Sequence, residues 1–306
     1  MAVPSAPPPP RLDPRLYQIA SLSGLLLYGM LVLDFQVDAP RAALLLGAVL
    51  LAQFAFGRLW KLPAFDPKSA LISGLSLCLL LRTESAALAV VTAVITIGSK
   101  FVLRHRGKHV FNPTNFGLVA MMLVTDQVWV SPGQWGNAAF FGFLMACIGG
   151  LVVNRSARSD VTFTFLAAYV GIVLARAAWL GQPLANPLHS LQNGALLLFS
   201  FFMISDPRTT PDSRPGRVLF ACLVAAGATF VPFVMHRTNG LLWSLAIFSL
   251  AVPGIDRVLP GSRFQWRPVA PLPRLTLRGF RHEPSTPAAA PLRPDPVRHS
   301  LARSRP

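Results

Sequence analysis

The chain has 306 residues, of which 53% are hydrophobic and 13% are charged, and its formal net charge is +16. Soluble domains carry about 25% charged residues. The apolar residues here form blocks of membrane-spanning length, which argues against a soluble protein and for a polytopic membrane protein. In such a chain, basic residues are explained more economically by cytoplasmic loops than by a nucleic-acid surface, so we expect no nucleic-acid partner.

The first sixteen residues are rich in proline, with Pro7–Pro10 consecutive. They lack the charged, apolar and cleavage regions of a signal peptide. We predict a disordered or polyproline II tail over residues 1–16 and a transmembrane domain over residues 17–255.

Ten hydrophobic segments follow the tail. Several are shorter than the roughly 20 residues that a normal span needs, and short segments are typical of half-helices or strongly buried spans. The predicted segments are Tyr17–Phe35, Ala42–Phe56, Ser69–Leu81, Ala86–Leu103, Pro113–Val124, Asn137–Val153, Val161–Leu180, Leu188–Ser205, Val218–Met235 and Leu241–Val252.

The loops between these segments alternate in charge. With the N-terminus in the cytoplasm, the inside loops carry most of the cations, among them Arg58, Arg104, Arg155 and Arg217, and the outside loops carry few. This alternation follows the positive-inside rule. It predicts a multi-pass membrane protein, in contact with the lipid bilayer and with both termini in the cytoplasm.

The last 51 residues, 256–306, hold ten Arg against three acidic residues and are rich in proline. No helical hydrophobic stripe is visible, so we predict a disordered, Arg/Pro-rich cytoplasmic tail. Contact of Phe264 and Trp266 with anionic lipid is the alternative.

Ten spans divide into two halves of five. Because a half with an odd number of spans ends on the opposite side of the membrane, the second half has the inverted orientation. The third and eighth segments then correspond, and both are short and contain glycine, at Gly74 and Gly194. Paired interrupted segments are typical of inverted repeats with a site at the repeat interface. The predicted fold is therefore an all-α polytopic membrane protein of about ten transmembrane helices, in a five-plus-five inverted repeat with short broken helices.

A break at Asn112-Pro113 opens the fifth segment, where Thr114 and Asn115 could cap a new helix. A helix N-terminus presents free N–H groups, and the nearby Lys108 and His109 would add attraction for a phosphate. A cap with a turn explains the same residues without a ligand. Lys100, a charge within the fourth segment, is a functional candidate by default, although it could snorkel to the headgroups.

Asp206 and Thr209 follow the eighth segment. Asp206-Pro207 could simply end the helix, and Asp206 could pair with Arg208 or with the basic loop after Arg104. Both loops are predicted to be cytoplasmic. We therefore expect the stretches Gly107–Asn115 and Ser205–Thr210 to lie close together and to form one cytoplasm-facing site.

The cysteines Cys78, Cys147 and Cys222 all lie in apolar blocks without CxxC spacing or an adjacent histidine. We interpret them as small core residues and expect no metal site. No arrangement of Ser, His and Asp or of Cys and His supports hydrolysis, so we assign no catalytic residue.

Two long motifs carry a family resemblance. GKHVFNPTNFG, Gly107–Gly117, resembles the GKH-x-FNP segment of the RnfD/NqrB membrane subunits of redox-driven ion pumps, and FFMISDPRTTP, Phe201–Pro211, resembles their FFM-x-TDP-x-T-x-P segment. SGLSLCLLL, Ser73–Leu81, looks like a short helix of the same family. The resemblance spans roughly Leu71 to Arg217, implies the same architecture and favours a binding site over a simple cap. The candidate cofactor-binding residues are Lys100, Lys108, Asn112, Thr114, Asn115, Asp206 and Thr209.

The chain departs from the family at the flavin. RnfD and NqrB carry FMN on a threonine of an S-G-A-T-type motif, and here SPGQWG occupies the corresponding loop. We therefore expect no covalent FMN. Non-covalent binding of FMN or riboflavin between helices is the alternative. The flavin ring could then contact Phe111, Phe116, Phe201 and Phe202, although phenylalanines in such segments more often pack helices together or face lipid.

Three hypotheses follow. The resemblance implies a membrane subunit of an Rnf/Nqr-like electron-transport complex, which takes part in flavin-mediated electron transfer coupled to ion transport, with other membrane subunits as partners. Such a subunit would not oxidise NADH itself, because the chain has no Rossmann fingerprint. The alternatives are a non-redox channel or carrier on the same scaffold, and an accessory membrane protein similar to RnfD-like proteins beside enediyne biosynthesis clusters. Fold does not fix function.

Overall fold

The computed structural model describes residues 13–32, 37–130, 140, 142–144, 146–147 and 159–263, all of which lie in one compact unit. The described part is mostly helical. The helices are α1 Pro14–Leu31, α2 Ala39–Leu59, α3 Lys68–Leu80, α4 Ala86–Val102, α5 Pro113–Val124, α6 Ser159–Trp179, α7 Ala185–Leu191, α8 Gly194–Leu198, the π-helix Phe199–Met203, α9 Arg214–Phe233, α10 Gly240–Ser249 and α11 Val252–Val258. The sixth predicted segment lies mostly outside the described residues.

The first helix begins before the predicted span. The Asp13 side chain caps it by accepting from the Arg15 N–H at 3.0 Å, and Pro14 stands at its first position. Asp13 also forms ion pairs with Arg15 and Lys68, both at 2.8 Å. Burial opposes ionisation of Asp13, but these partners prevail and lower its pKa. The start of the first span is therefore tied to α3.

Three helices are long and apolar enough to cross a membrane, namely α2, α6 and α9, and α10 with α11 forms a fourth candidate bent by 50°. Shorter apolar helices fill much of the remaining described part: α3, α4, α5, and α8 continued by the π-helix. The result is a helical membrane protein with three to four candidate spans among the described residues. Short broken helices are thus a feature of the fold.

The eighth predicted segment is interrupted. α7 ends at Leu191, Gln192 leaves helical geometry, and Asn193 caps α8 by accepting from the Ala195 N–H at 2.8 Å. The helix then widens into a π-helix, in which Ser200 O accepts from Thr162 Oγ1 of α6 at 2.9 Å. π-Helical turns are frequent at functional sites, because they shift carbonyl groups out of the regular ladder.

The helices pack in two groups. In the first, α2 packs against α3 and α4, α1 against α3, and α4 against α5. In the second, α9 packs against both α6 and α10. α5 contacts α10 and joins the two groups. The start of α5 thus lies where the groups meet.

Two short antiparallel pairings supplement the helices. β1, Leu81–Arg82, pairs with β4, Trp129–Val130, and β2, Arg104–His105, pairs with β3, Lys108–His109. Since α4 begins after β1 and ends before β2, the two pairings lie at opposite ends of α4, a helix of about 25 Å at 1.5 Å per residue.

The surface exposes large apolar side chains, among them Leu31, Val124 and Trp179, as expected for helices that face lipid. Cys78 and Cys147 are buried as predicted. The prediction for Cys222 is wrong, because its side chain lies on the exposed side of α9. Hydrophobicity in this chain therefore does not distinguish core residues from surface residues.

Candidate functional site at the junction of two motifs

A tight hairpin positions the first motif. Arg106 and Gly107 join β2 to β3 with φ angles of 50° and 78°, the signature of a two-residue turn with positive φ at both central positions. Glycine adopts such a φ without strain. The turn returns the chain beside α4 and places Lys108 and His109 next to its C-terminal end.

The break at Asn112-Pro113 is a capped helix start. Asn112 Oδ1 accepts from the Asn115 N–H at 3.1 Å, and Pro113 occupies the first helical position. Asn112 Nδ2 also donates to Met203 O, at the end of the π-helix, at 3.4 Å. The cap is therefore Asn112, where the sequence suggested Thr114 and Asn115, and it joins the two motifs directly.

The second motif forms a compact turn around Asp206. Its carboxylate accepts from the Arg208 N–H at 3.0 Å, and its carbonyl accepts from the N–H groups of Thr209 and Thr210 at 3.1 and 3.2 Å. Thr209 Oγ1 donates to the same carbonyl at 3.2 Å. This is an Asx-type turn, which Asp favours because its side chain replaces a backbone acceptor. The turn directs the Arg208 side chain toward the hairpin.

His109 and Arg208 meet at this junction, with Nη1 of Arg208 3.3 Å from Nε2 of His109. His109 is buried, and its Nδ1 has no hydrogen-bond partner. Burial, followed by the charges of Arg208, Arg104 and Lys100, lowers the pKa of His109 to about 3. The imidazole is therefore neutral at physiological pH. We call Lys100, Arg104, His109 and Arg208 the basic cluster.

Lys100 does not snorkel. Its side chain is buried inside the bundle, and its ammonium donates to Gln53 Oε1 of α2 at 3.2 Å. The Lys100 carbonyl accepts from Nε of Arg104. A buried cation whose described hydrogen bond goes to a neutral amide is costly unless function requires it.

Lys108 lies between two carboxylates, 3.1 Å from Asp212 and 2.8 Å from Asp256. The Asp212 N–H donates to Asp256 Oδ1 at 2.7 Å. These contacts fasten the hairpin to the loop before α9 and to α11. The Lys108 charge is thus compensated within the protein, which argues against its predicted attraction for a phosphate. Asp256 lies in α11, so this helix extends to Val258, past residue 256, where the tail was predicted to begin.

Asn115 lies at the centre of the bundle with no exposed surface. Its Nδ2 donates to Leu242 O of α10 at 3.2 Å, and its Oδ1 has no partner. Thr114 is buried on the same turn. An unpaired buried acceptor next to a helix break is unusual enough to require a structural or functional reason.

These residues do not fit a flavin as they are arranged. The amide of Asn112 and the hydroxyl of Thr209 already bond within the protein. The rings of Phe111 and Phe116 contact each other in a tilted arrangement with centroids 5.0 Å apart, and Phe202 stacks on Phe143 at 5.9 Å. An isoalloxazine cannot insert into either pair without separating it. The cofactor-binding role of the seven candidate residues stays a prediction, and we assign them no flavin contact.

Metal chemistry has no support in the described part of the chain, where no group of three or more His, Cys, Asp or Glu side chains converges. The site is therefore a junction of two broken apolar segments with a basic cluster in which Lys100 and His109 are buried and Arg104 and Arg208 are exposed. Such a junction defines a class of helical membrane proteins with interrupted spans.

Residues 124–265 match the family described as NQR2, RnfD, RnfE. Proteins named as the D component of the ion-translocating oxidoreductase complex are similar to this chain. That of Erwinia tasmaniensis is 28% identical over 127 residues, or 40% of this chain and 34% of the relative. That of Alcanivorax borkumensis is 30% identical over 127 residues, which is 40% of this chain and 35% of the relative. That of Citrobacter koseri is 27% identical over 125 residues, which is 40% of this chain and 34% of the relative. These similarities confirm the resemblance.

The similarity has limits. The matched part spans about a third of the length of these curated relatives. The family match contains Phe201–Pro211 and begins after Gly107–Gly117, and it extends beyond Arg217 to residue 265. The match therefore covers the C-terminal part of the predicted region, from residue 124 to Arg217, and continues beyond it.

Sequence reasoning missed several residues of the junction. Gln53, Asp212 and Asp256 lie far from the motifs in sequence and reach the site only through helix packing. His109 was identified only as a neighbour of Lys108. The basic pattern RHRGKH before the break was the one available signal for the cluster.

Proposed function

We propose that the chain is an integral membrane subunit of an Rnf/Nqr-like electron-transport complex, taking part in flavin-mediated electron transfer coupled to transmembrane ion transport. The observation that carries this proposal is the contact between the two family motifs, at His109–Arg208 and Asn112–Met203. Two motifs separated by about ninety residues meet around buried polar groups, which is expected if they form one functional site.

We further propose ten spans in a five-plus-five inverted repeat. The helix contacts support it, because α2–α4 and α4–α5 in the first group correspond to α6–α9 and α9–α10 in the second. α5 and α10 would be the fifth segments of the two halves, and their mutual contact would lie on the repeat axis. Arg82-Thr83 follows the third segment as Arg208-Thr209 follows the eighth.

The basic cluster and Asn115 form the proposed site within this scaffold. Lys100, His109 and Asn115 are buried near the end of α4, in the hairpin and at the start of α5, respectively. Interrupted segments are where transporters place ions and substrates. Lys100 would influence a passing cation by its charge, and the unpaired acceptor of Asn115 offers a neutral oxygen.

The flavin part of the proposal depends on the family alone. FMN or riboflavin would be held non-covalently, and the expectation of no covalent bond follows from the missing threonine motif. The proposed partners are other membrane subunits of the complex and the lipid bilayer. The proposed location is the bacterial inner membrane, with both termini in the cytoplasm, supported by the cationic loops.

The test is purification of the tagged full chain from native membranes in a mild detergent. We expect other membrane subunits to co-purify and the sample to show flavin absorption that is released on denaturation. An Arg208→Gln variant purified in parallel tests whether the contact between the motifs is needed for assembly. A chain that purifies alone and colourless would refute the electron-transfer proposal.

A channel or carrier without redox chemistry is the second candidate. One observation favours it: Asn112 and Thr209 already bond within the protein, and the phenylalanine pairs leave no space for a flavin ring. Vesicles that contain the purified chain alone would then conduct or exchange ions without any electron donor.

A further inference from the structure

A second polar site lies at the opposite end of α4 from the basic cluster. Here the N-terminal ends of α2 and α4 and the strand β1 enclose a cavity of about 110 Å³. Pockets for drug-sized ligands occupy roughly 300–1,000 Å³, so this cavity suits one small group. Its polar lining residues are Asp38, Arg41, Arg82 and Thr83.

Arg82 enters this cavity from β1. Its pairing with Trp129 fixes the backbone, and only 9% of the residue is exposed. Nη1 donates to the carbonyls of Cys78 at 3.3 Å and Leu81 at 2.8 Å. The other guanidinium nitrogens donate to no protein group within the described ranges. A guanidinium has five donors in a rigid fork, so most of its capacity remains free.

Arg41 approaches the same cavity from the first turn of α2. Nη2 donates to Glu84 O at 3.0 Å, and Nη1 is buried without a partner. Asp38 also lines the cavity, but its carboxylate caps α2 by accepting from the Arg41 N–H at 2.8 Å. Neither arginine forms a salt bridge with Asp38 or with another acid of the described part.

We propose that Arg41 and Arg82 bind a phosphate group in this cavity. Both side chains line the cavity and keep donors without a protein partner, and bidentate pairing with an oxyanion satisfies such donors better than water does. The excess of one positive charge in the lining would be neutralised by an anion. The site is independent of the proposed electron-transfer function and goes beyond it.

The phosphate group has two possible sources. The cavity lies at the ends of apolar helices, where a bilayer headgroup would reach it, and it also opens to small anions in solution. Both sources present the same phosphate oxygens to the same two arginines. The experiment must therefore separate a lipid headgroup from free phosphate.

The first arm is equilibrium dialysis of the full chain in detergent against radiolabelled inorganic phosphate, up to roughly 1 mM. The second is native mass spectrometry of the chain from nanodiscs of phosphatidylglycerol or of phosphatidylcholine. Retention of phosphatidylglycerol over phosphatidylcholine supports the lipid source, and saturable binding of phosphate supports the soluble source. Binding of neither, in a folded protein, would overturn the proposal.

The variants Arg41→Gln and Arg82→Gln should each weaken this binding at least about tenfold, because each removes a charge-assisted contact. Arg58→Gln is the matched control, since Arg58 lies on the exposed surface of α2 away from the cavity. Arg41 is only partly buried, so its variant remains informative if Arg82→Gln fails to fold. Unchanged binding in Arg41→Gln would also overturn the proposal.

Discussion

The guanidinium of Arg208 lies 3.3 Å from Nε2 of His109, so an always-charged donor meets a buried imidazole. Because Arg208 can only donate, Nε2 must accept, and the proton of the neutral ring belongs on Nδ1. That nitrogen has no partner. Protonation of His109 would break the contact and place two like charges together.

His109 should therefore make the fold sensitive to acid. Burial and its cationic neighbours lower its pKa from 6.5 to about 3, so the unfolded chain binds the proton more readily. The neutral His109 therefore leaves the folded state at full stability above about pH 6.5. The free energy of unfolding then decreases as the pH falls toward 3, because the unfolded chain binds the proton and the folded chain does not. Between about pH 6.5 and 5 the loss is about 2 kcal/mol. Thermal unfolding in detergent across this range measures it.

His109→Gln should remove this part of the pH dependence, because an amide still accepts from Arg208 but does not titrate. His105→Gln is the matched control, since His105 lies on the exposed side of the same hairpin. A wild-type protein whose pH dependence equals that of His109→Gln would contradict the assignment.

Gly117 is required for close packing of α5 on α4. A Cβ built there would lie 1.9 Å from Thr96 Oγ1 and 3.2 Å from Thr96 Cα. Since a backbone atom also blocks the space, Gly117→Ala should force the helices apart and cost about 1–3 kcal/mol. Equilibrium unfolding in mixed detergent measures the change.

Two variants control this experiment. Gly171→Ala in α6 should be neutral or slightly stabilising, because nothing lies within 4 Å of its Cβ position. Adding Thr96→Ala should recover part of the loss in Gly117→Ala, since it removes the nearest atom. Equal stability of Gly117→Ala and Gly171→Ala would show that the packing is not tight.

Lys108 stabilises the hairpin through its two carboxylate partners. Lys108→Met leaves Asp212 and Asp256 close together without their shared cation, and the side chains involved are only 12–21% exposed. We expect a loss of about 2 kcal/mol, and a smaller additional loss when Asp256→Asn is added. Thermal unfolding of the four proteins of this double-mutant cycle measures the coupling.

Arg237→Met is a suitable control, because Arg237 is exposed and makes no ion pair within the described ranges. Additive effects of Lys108→Met and Asp256→Asn would mean that the observed contact contributes nothing to stability.

Much of the helical fold could be predicted from hydrophobic runs and capping residues. Prolines and polar residues placed most segment boundaries within about three residues, as at Pro113 and Ala86. The short eighth segment with Gly194 predicted an interruption, and the structure places it just before, at Gln192-Asn193, where the cap of Asn193 starts a new helix. The π-helix had no sequence signal.

The candidate site was predictable only in part. The proximity of the two motifs followed from their loops sharing one side, and the contact of His109 with Arg208 shows it. The partners of Lys100 and Lys108 could not be predicted, because Gln53, Asp212 and Asp256 arrive through tertiary packing. The sequence therefore identifies charged residues more easily than it identifies the partners that bind or compensate them.

The proposed topology predicts opposite accessibility for two exposed positions. In a background that lacks Cys78, Cys147 and Cys222, cysteines introduced at Gln127 and at Arg214 should react with an impermeant reagent from opposite sides of the membrane. Gln127 lies in the loop after α5, and Arg214 begins α9. Labelling of both from the same side would rule out the ten-span arrangement.

Asn112 and Asn115 should differ in what their loss affects. Asn112 caps α5 and donates to Met203 O, so Asn112→Ala should cost about 0.5–2 kcal/mol of stability. Asn115→Ala loses one bond to Leu242 O but also removes an unpaired buried acceptor, and these effects offset each other. We therefore expect Asn115→Ala to change stability by less than about 1 kcal/mol and to reduce electron transfer or ion transport in a reconstituted complex. Chemical unfolding and an activity assay on both variants distinguish the two roles. If Asn115→Ala is as unstable as Asn112→Ala and fully active once folded, Asn115 is a packing residue and the proposed site does not include it.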